Sequence, residues 1–239
     1  MNRLFLLGDS TCAEKKREAR PETGWGEAFY EYLAPEWIAV NCAFNGFSTV
    51  SALKSGTFSS VLLSLKEGDA VIIQFGHNDQ KKDERGTDAW GSYSAKLVYM
   101  ANKIKEKKAE VYFVTSVPRR IFLSGRIQDT HGDYIAAMKA AGHQAGVPVV
   151  DITFPLTEDL VKAGDEDSRK YYMNFGKGIY PNYMEGKEDN THLRPEGARW
   201  VASTVAEKLS KLVPFPSFLA LEDTAVSVSP SEMKFSEEP

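Results

Sequence analysis

Two widely separated groups of residues in this sequence have the types and spacing that acyl transfer by a serine requires. Gly8-Asp9-Ser10 follows the first apolar run, and Asp189 and His192 stand three positions apart near the other end of the chain. A serine nucleophile needs a base that takes its hydroxyl proton and a third group that fixes the tautomer and orientation of that base. Because Asp-x-x-His supplies both from one turn, we predict Ser10 as nucleophile, His192 as base and Asp189 as the residue that orients it.

Three groups are candidates to stabilise the oxyanion that such an attack creates. They are the backbone N–H of Ser10, the backbone N–H of Gly46 and the side-chain amide of Asn78. Glycine at position 46 lets the main chain approach a substrate without a Cβ. The amide of Asn78 is a neutral donor that does not compete as a base. Donors of this kind must be in place before the charge develops, so we predict that all three lie close to Ser10.

The elements that must position these residues are short buried strands alternating with helices. Nearly continuous apolar runs predict strands at 3–8, 37–44, 69–76, 110–116 and 147–152. Helical periodicity predicts helices at 24–33, 49–55, 92–108, 133–145 and 195–212. This alternation is typical of a doubly wound α/β fold with a mainly parallel sheet. Ligands of such folds bind at the carboxyl ends of the strands, and the turns that contain Ser10, Gly46 and Asn78 all begin there.

Four segments, in this order, resemble the sequence blocks of the SGNH (GDSL-like) hydrolase superfamily. They are Gly8-Asp9-Ser10, Gly46, Gly76-x-Asn78-Asp79 and Asp189-x-x-His192. The stretches 116-SVPRRIF-122, 129-DTHGDY-134 and 189-DNTHLRPEGA-198 are similar to its rhamnogalacturonan acetylesterase-like branch, carbohydrate esterase family twelve. The resemblance covers roughly residues 3 to 212, in blocks, and co-occurrence makes it far more specific than the first block alone.

The resemblance implies a fold, an activity and roles for individual residues. The implied fold is a flavodoxin-like three-layer α/β/α sandwich with a five-stranded sheet, and the implied reaction is release of acetate from pectic or other plant oligosaccharides without a metal or organic cofactor. Ser10, His192 and Asp189 take the roles given above, with Gly46 and Asn78 in the oxyanion hole. One departure concerns Phe47, which stands where this branch usually has a basic residue before the serine. It weakens the transfer of substrate contacts to this chain.

Two further side chains are predicted to contact the sugar. His77 follows the glycine that ends the third strand, where its ring would meet a sugar hydroxyl or its ester. Trp90 lies in a long polar loop, 80-QKKDERGTDAWGSY-93, and either stacks on a pyranose ring or is buried under that loop. Arg119 and Arg120 either bind an acidic sugar or pair with carboxylates.

Three other functions remain open at this point. The same mechanism serves SGNH esterases, lipases and thioesterases that act on non-carbohydrate esters. A metallophosphoesterase would use Asp9, His77, Asp79 and His192 as ligands, although their spacing matches no common metal motif. A catalytically silent carbohydrate-binding protein on the same fold is the third alternative.

Composition limits the partners and the domain count. The chain has 239 residues and a net charge of -4, so no diffuse positive field attracts nucleic acid or anionic lipid. We predict one catalytic domain over 1–213 and a tail over 214–239 that packs on the body or exchanges with another subunit of a homo-oligomer, with disorder near its end.

The first apolar run is too short for a signal peptide or a membrane span, so we expect the cytoplasm unless a leader once preceded the chain. Two cysteines, Cys12 and Cys42, exclude a disulfide scaffold, and whether they pair is left open.

Overall fold

The computed structural model describes residues 1–220, and its centre is a five-stranded parallel sheet. The strands within these residues are β1 (Asn2–Gly8), β2 (Trp37–Asn41), β3 (Ala70–Gln74), β4 (Glu110–Val114), β5 (Phe122–Leu123), β6 (Arg126–Ile127), β7 (Val149–Val150), β8 (Tyr172–Phe175) and β9 (Lys187–Leu193). The main sheet has the order β2-β1-β3-β4-β7, and the two remaining pairs, β5-β6 and β8-β9, are small antiparallel hairpins.

Seven α-helices surround the sheet in the described residues. They are α1 (Trp25–Ala28), α2 (Thr49–Lys54), α3 (Thr57–Ser64), α4 (Ser94–Lys105), α5 (Asp133–Ala145), α6 (Thr153–Asp167) and α7 (Pro195–Ser210). A π-helical turn, Ala89–Tyr93, leads into α4. Helix α7 begins with proline at a position whose backbone N–H has no helical partner, so the missing donor costs nothing there.

Both faces of the sheet are buried, which explains why its strands lack apolar-polar alternation. Leu4 and Leu6 of β1 point to one face, where they join a core with α1, α6 and α7. Phe5 and Leu7 point to the other face, where α2 to α5 cover them. Successive side chains of a strand alternate between faces, so two cores require apolar residues at every position. The predicted flavodoxin-like α/β/α sandwich is confirmed.

The predicted elements differ from the observed ones where local patterns are weak. The predicted helix at 24–33 is one α-helical turn followed by the 3-10 helix Phe29–Tyr32. Helices α3 and α6 were not predicted. Helix α6 contains proline at position 155 and glycine at 164, residues that argue against a helix in the sequence, yet it buries Leu156 and Leu160. Its backbone departs from helical geometry at Gly164.

Hairpin β8-β9 was not predicted either, and it places Asp189 and His192 on a strand rather than in a loop. Its ladder is interrupted, because Tyr172 pairs with Leu193 while the next residue, Met173, pairs with Asp189. Residues 190–192 therefore bulge out of the ladder. Bulges of this kind redirect side chains beside active sites.

The chain continues past α7 onto the body of the domain. Phe218 and Leu219 are buried against the first core, and the N–H of Ala220 donates to the carbonyl of Tyr32. The rest of the predicted tail, 221–239, lies outside the described residues. Both cysteine thiols are free in the structure. Within residues 1–220, no helix combines the length and apolar character that a membrane crossing needs.

Candidate active site

The Ser10 hydroxyl lies at the carboxyl end of β1 and contacts the His192 ring from the far end of the chain. Its Oγ is 2.9 Å from Nε2 of His192. The turn that presents it is held by the carbonyl of Asp9, which accepts hydrogen bonds from the N–H groups of Cys12 and Ala13. Ser10 is 7% exposed. The residue is therefore largely buried, and main-chain hydrogen bonds hold the turn that carries it.

The carboxylate of Asp189 holds the other side of the imidazole. Its Oδ2 is 2.8 Å from Nδ1 of His192, and its Oδ1 accepts the backbone N–H groups of Thr191 (2.9 Å) and His192 (3.0 Å). The bulge at 190–192 turns those two N–H groups toward the carboxylate. With the ring proton on Nδ1, where Asp189 accepts it, Nε2 presents a lone pair to the Ser10 hydroxyl.

Opposing effects act on the pKa of Asp189. Burial raises this pKa, but the hydrogen bonds from the His192 ring and backbone, the charge of His192 and the Thr191 N–H together lower it below its ordinary value. Asp189 is consequently ionised throughout the neutral range. An ionised acceptor stabilises the imidazolium that forms when His192 takes a proton.

Asp9, directly before Ser10, is fully buried and accepts four hydrogen bonds. Thr11 donates its N–H (2.9 Å) and its hydroxyl (2.8 Å) to Oδ1, and Gln74 Nε2 (3.2 Å) and His77 Nδ1 (3.0 Å) approach Oδ2. Burial raises the pKa of Asp9, whereas the charge of His77 and these hydrogen bonds lower it to about 2 overall. The ionised carboxylate thus fixes the turn that carries the nucleophile.

His77, which was predicted to contact the sugar, is buried in the structure. Its residue is 3% exposed, and its ring packs edge-on against His131 with the centroids 4.8 Å apart. Its Nδ1 is engaged by Asp9, and its Nε2 is buried. The hydrogen bond with Asp9 holds the ring in the interior of the protein. A sugar contact by His77 therefore disagrees with its burial in this structure.

The two predicted oxyanion donors beyond Ser10 lie on adjoining turns. Gly46 has φ +78°, a left-handed conformation that glycine adopts freely. The side-chain amide of Asn78 donates to the carbonyl of Phe47 at 2.9 Å. An amide nitrogen carries two hydrogens, so this bond orients the second N–H of Asn78. The bond also joins the turn after β2 to the turn after β3.

The four residues considered as metal ligands are divided between separate hydrogen-bond networks. Asp9 and His77 bind each other, Asp79 accepts the N–H (3.1 Å) and hydroxyl (2.5 Å) of Thr49, and His192 lies between Ser10 and Asp189. Within residues 1–220, no group of three or more His, Cys, Asp and Glu side chains is arranged to hold a metal ion.

Similarity to known proteins identifies the family of this chain. The sequence profile of the GDSL-like lipase/acylhydrolase family matches residues 6–200, a span that contains Ser10, Asp189 and His192. The chain belongs to this family.

Two curated relatives and one solved structure extend the comparison of this GDSL-like hydrolase. The rhamnogalacturonan acetylesterase RhgT of Bacillus subtilis is 39% identical over 211 residues, which are 87% of this chain and 90% of that protein. The rhamnogalacturonan acetylesterase of Emericella nidulans is 27% identical over 220 residues, 83% of this chain and 81% of its own. The crystal structure of YxiM from Bacillus subtilis has a TM-score of 0.76 at 21% identity, covering 88% of this chain and 56% of that one. This last likeness concerns the fold.

Two buried cations of this GDSL-like hydrolase lie beside the site, and one of them, Lys15, was not identified from the sequence. Lys15 contacts the carbonyl of Ser10, and Arg120 holds the segment beside Asp189. The backbone N–H and the Nε of Arg120 donate to the backbone and side-chain oxygens of Asn190, and its Nη1 pairs with Asp165. Arg120 therefore makes carboxylate and amide contacts inside the protein, which is the second of the two roles considered for it. Lys15 gave no signal, because 14-EKKRE-18 is typical of a solvated surface.

Trp90 and Arg85 lie on the loop that follows β3. The Trp90 residue is 56% exposed in the π-helical turn, so the loop does not bury it. Nε and Nη2 of Arg85 bind the carboxylate of Asp83, and its Nη1 lies 3.6 Å from the position that a Cβ on Gly46 would occupy. A guanidinium thus stands beside the predicted oxyanion turn, near the place where the family branch has a basic residue and this chain has Phe47.

Proposed function

We propose that this GDSL-like hydrolase is a serine-dependent carbohydrate O-acetylesterase that releases acetate from acetylated pectic oligosaccharides of the rhamnogalacturonan type. One observation carries the proposal: the Ser10 hydroxyl, the His192 ring and the Asp189 carboxylate form a continuous hydrogen-bonded series, with distances of 2.9 and 2.8 Å. The names of the relatives support the substrate, since proteins called rhamnogalacturonan acetylesterases are 39% and 27% identical over most of this chain.

In the first half of the reaction Ser10 acts as nucleophile. Its Oγ attacks the acetyl carbonyl carbon while Nε2 of His192 takes the hydroxyl proton, and the carbonyl π electrons move onto the oxygen. The N–H groups of Ser10 and Gly46 and the amide of Asn78 donate to this oxyanion. The tetrahedral intermediate then collapses, the bond to the sugar oxygen breaks, and His192 returns its proton to that oxygen. The products are the free sugar hydroxyl and an acetyl-Ser10 enzyme.

Water completes the cycle through the same groups. His192 takes a proton from a water molecule whose oxygen attacks the acetyl carbon, and the second tetrahedral intermediate expels the Ser10 oxygen. That oxygen recovers the proton from His192, and acetic acid leaves and ionises to acetate in solution. Asp189 keeps the ring in one tautomer through both halves, because its Oδ2 accepts the Nδ1 proton at each stage.

The charge beside the site suits an acidic sugar chain. Galacturonate units carry carboxylates, which the net charge of -4 of the protein repels. Binding of an acidic oligosaccharide is therefore favoured by a cationic side chain near the site. Arg85 is such a cation, since its Nη1 stands beside Gly46 while its other nitrogens are paired with Asp83. Trp90 offers an exposed ring on the same loop for the face of a neighbouring sugar.

The test compares the wild-type protein with Ser10→Ala on acetylated rhamnogalacturonan oligosaccharides and on 4-nitrophenyl acetate. We expect Ser10→Ala to release acetate at least about 10⁴-fold more slowly with both substrates, because the covalent step is lost. Circular dichroism and thermal unfolding check that the variant is folded. Substantial turnover by Ser10→Ala would overturn the nucleophile assignment. A wild-type preference for octanoyl over acetyl esters would instead favour an SGNH lipase or thioesterase.

A further inference from the structure

Lys15 is a buried lysine whose ammonium group lies next to the nucleophile. Its side chain is 1% exposed. Its Nζ donates to the Ser10 carbonyl at 2.6 Å and to Oδ1 of Asn45 at 2.6 Å, and it pairs with Oε1 of Glu22 at 2.8 Å. An ammonium has three hydrogens, and these three acceptors match them. Lysine is almost never fully buried unless it is paired, so the arrangement is a built site rather than a surface side chain.

Two of the three acceptors adjoin the predicted oxyanion donors. Ser10 supplies one donor through its own N–H, and Lys15 binds the carbonyl of that same residue. Asn45 directly precedes Gly46, the source of the second donor, and Lys15 binds its side chain. Lys15 therefore links the turn after β1 to the turn after β2 at the residues that carry the donors.

The other hydrogen bonds between these turns do not involve the donor residues or their direct neighbour Asn45. The N–H of Phe44 donates to the carbonyl of Gly8 at 3.1 Å, and the side-chain amide of Asn41 donates to the carbonyl of Cys12 at 3.0 Å. On the far side, Asn78 binds the carbonyl of Phe47 and ties the second turn to the third. Among these hydrogen bonds of the described residues, the one made by Lys15 joins Ser10 itself to the residue before Gly46, and the one made by Asn78 joins the second turn to the third.

We infer that Lys15 is a positioning residue of the esterase reaction: its contacts with the Ser10 carbonyl and with Asn45 hold the N–H groups of Ser10 and Gly46 at the spacing that a single oxyanion requires. The inference rests on the proposed function, because it needs Ser10 to be the nucleophile. Lys15 contacts no substrate atom in this account. Its effect comes through the preorganisation of donors, on which oxyanion stabilisation depends.

Lys15→Met tests the inference, because it keeps the length of the side chain and removes its donors. We expect kcat on 4-nitrophenyl acetate to fall about 100-fold, the cost of misplacing catalytic groups by about 1 Å, while KM stays within about threefold. Labelling of Ser10 by a fluorophosphonate should slow by a similar factor, because that reaction uses the same nucleophile and oxyanion donors. Lys105→Met is the matched control. It makes the same substitution and removes an Nζ donor to the backbone carbonyl of Ala145, where α4 and α5 end, so kcat should stay within about threefold of wild type.

Asn45→Ala keeps the inference testable if Lys15→Met does not fold. Asn45 is exposed, so its truncation should leave the fold intact. We expect Asn45→Ala alone to lower kcat about 10-fold. If Lys15→Met does fold, adding Asn45→Ala to it should cause no further loss, because both changes break the same contact. Wild-type kcat in Asn45→Ala, or a fall only in thermal stability for Lys15→Met, would overturn the inference while leaving the proposed function intact. An unlabelled, inactive wild-type protein would overturn both.

Discussion

Replacing Asp189 by asparagine should reverse the tautomer of His192 without moving the ring. Oδ1 of Asp189 accepts two backbone N–H groups, from Thr191 at 2.9 Å and from His192 at 3.0 Å. The asparagine oxygen must keep that place, because an amide NH2 there would face two donors. Its nitrogen then faces Nδ1 of His192, at the position where Oδ2 now lies 2.8 Å away. Nδ1 becomes an acceptor, so the ring proton moves to Nε2 and points at the Ser10 hydroxyl.

The expected loss of activity follows from this exchange of roles. With a proton on Nε2, His192 no longer accepts the Ser10 proton, and the corresponding change in the serine protease template lowers kcat about 10⁴-fold. That factor corresponds to about 5.5 kcal/mol of transition-state stabilisation, at 1.36 kcal/mol for each tenfold change. The fold loses less, since both backbone bonds survive and one charge-assisted bond becomes neutral, at a cost of about 1 kcal/mol. We expect Tm to fall by about 2–4 °C.

Steady-state kinetics on 4-nitrophenyl acetate at pH 7 to 8 measures this effect, and Asp129→Asn provides a matched control. Oδ1 of Asp129 accepts two backbone N–H groups in the same way, from His131 at 2.9 Å and from Gly132 at 3.0 Å, but Asp129 orients no catalytic ring. Asp129→Asn should retain kcat within about threefold. If Asp189→Asn retained more than about a tenth of the wild-type kcat, the tautomer argument would fail.

Two other changes test the buried carboxyl group and the charge of the site. Burial raises the pKa of Asp79, hydrogen bonds from Thr49 lower it, and the result is a pKa of about 7. The folded protein therefore keeps a proton on Asp79 that the unfolded chain releases above about pH 4. The free energy of unfolding should fall as pH rises from about 4 to 7, by up to roughly 4 kcal/mol, and urea titrations of Asp79→Asn should lack this component. An identical pH profile in the variant would contradict the raised pKa. Arg85→Gln should raise KM for acidic acetylated oligosaccharides about 10-fold or more, because a charged hydrogen bond is lost. The value of kcat/KM on 4-nitrophenyl acetate should not change. An equal rise in KM for a neutral acetylated xylooligosaccharide would exclude carboxylate recognition by Arg85.

Local sequence patterns predicted the strands and helices in which burial follows a regular pattern along the chain. Strand β1 is apolar at nearly every position because both of its faces are buried, and that pattern is visible in any window of the sequence. Helix α5 was predicted with its observed bounds, since its periodicity is regular and Gly146 ends it in a left-handed conformation. Helix α6 and hairpin β8-β9 were missed because their stability comes from distant partners. Leu156 packs in a core built by other elements, and β9 is polar at most of its positions.

The types and order of the site residues were determined by the sequence alone. Ser10, Asp189 and His192 are recognisable because acyl transfer needs a nucleophile, a base and an orienting carboxylate, and few other residues carry those groups at that spacing. Strand ends placed Gly46 and Asn78 beside them, since parallel strands bring their carboxyl ends to one edge. The roles of these residues stay predictions until they are measured.

Only the tertiary structure decided how these groups are held. The three-residue bulge in β9 directs two backbone N–H groups toward Asp189, and a hydrogen bond with Asp9 holds His77 in the interior. Lys15 links two turns although it comes from a segment whose charges suggest an exposed surface. Each of these outcomes depends on which chemical groups lie opposite one another across elements distant in the chain. Local composition and periodicity indicate which residues are buried and in which element they lie. They do not indicate which residue, 30 or more positions away, a given side chain contacts.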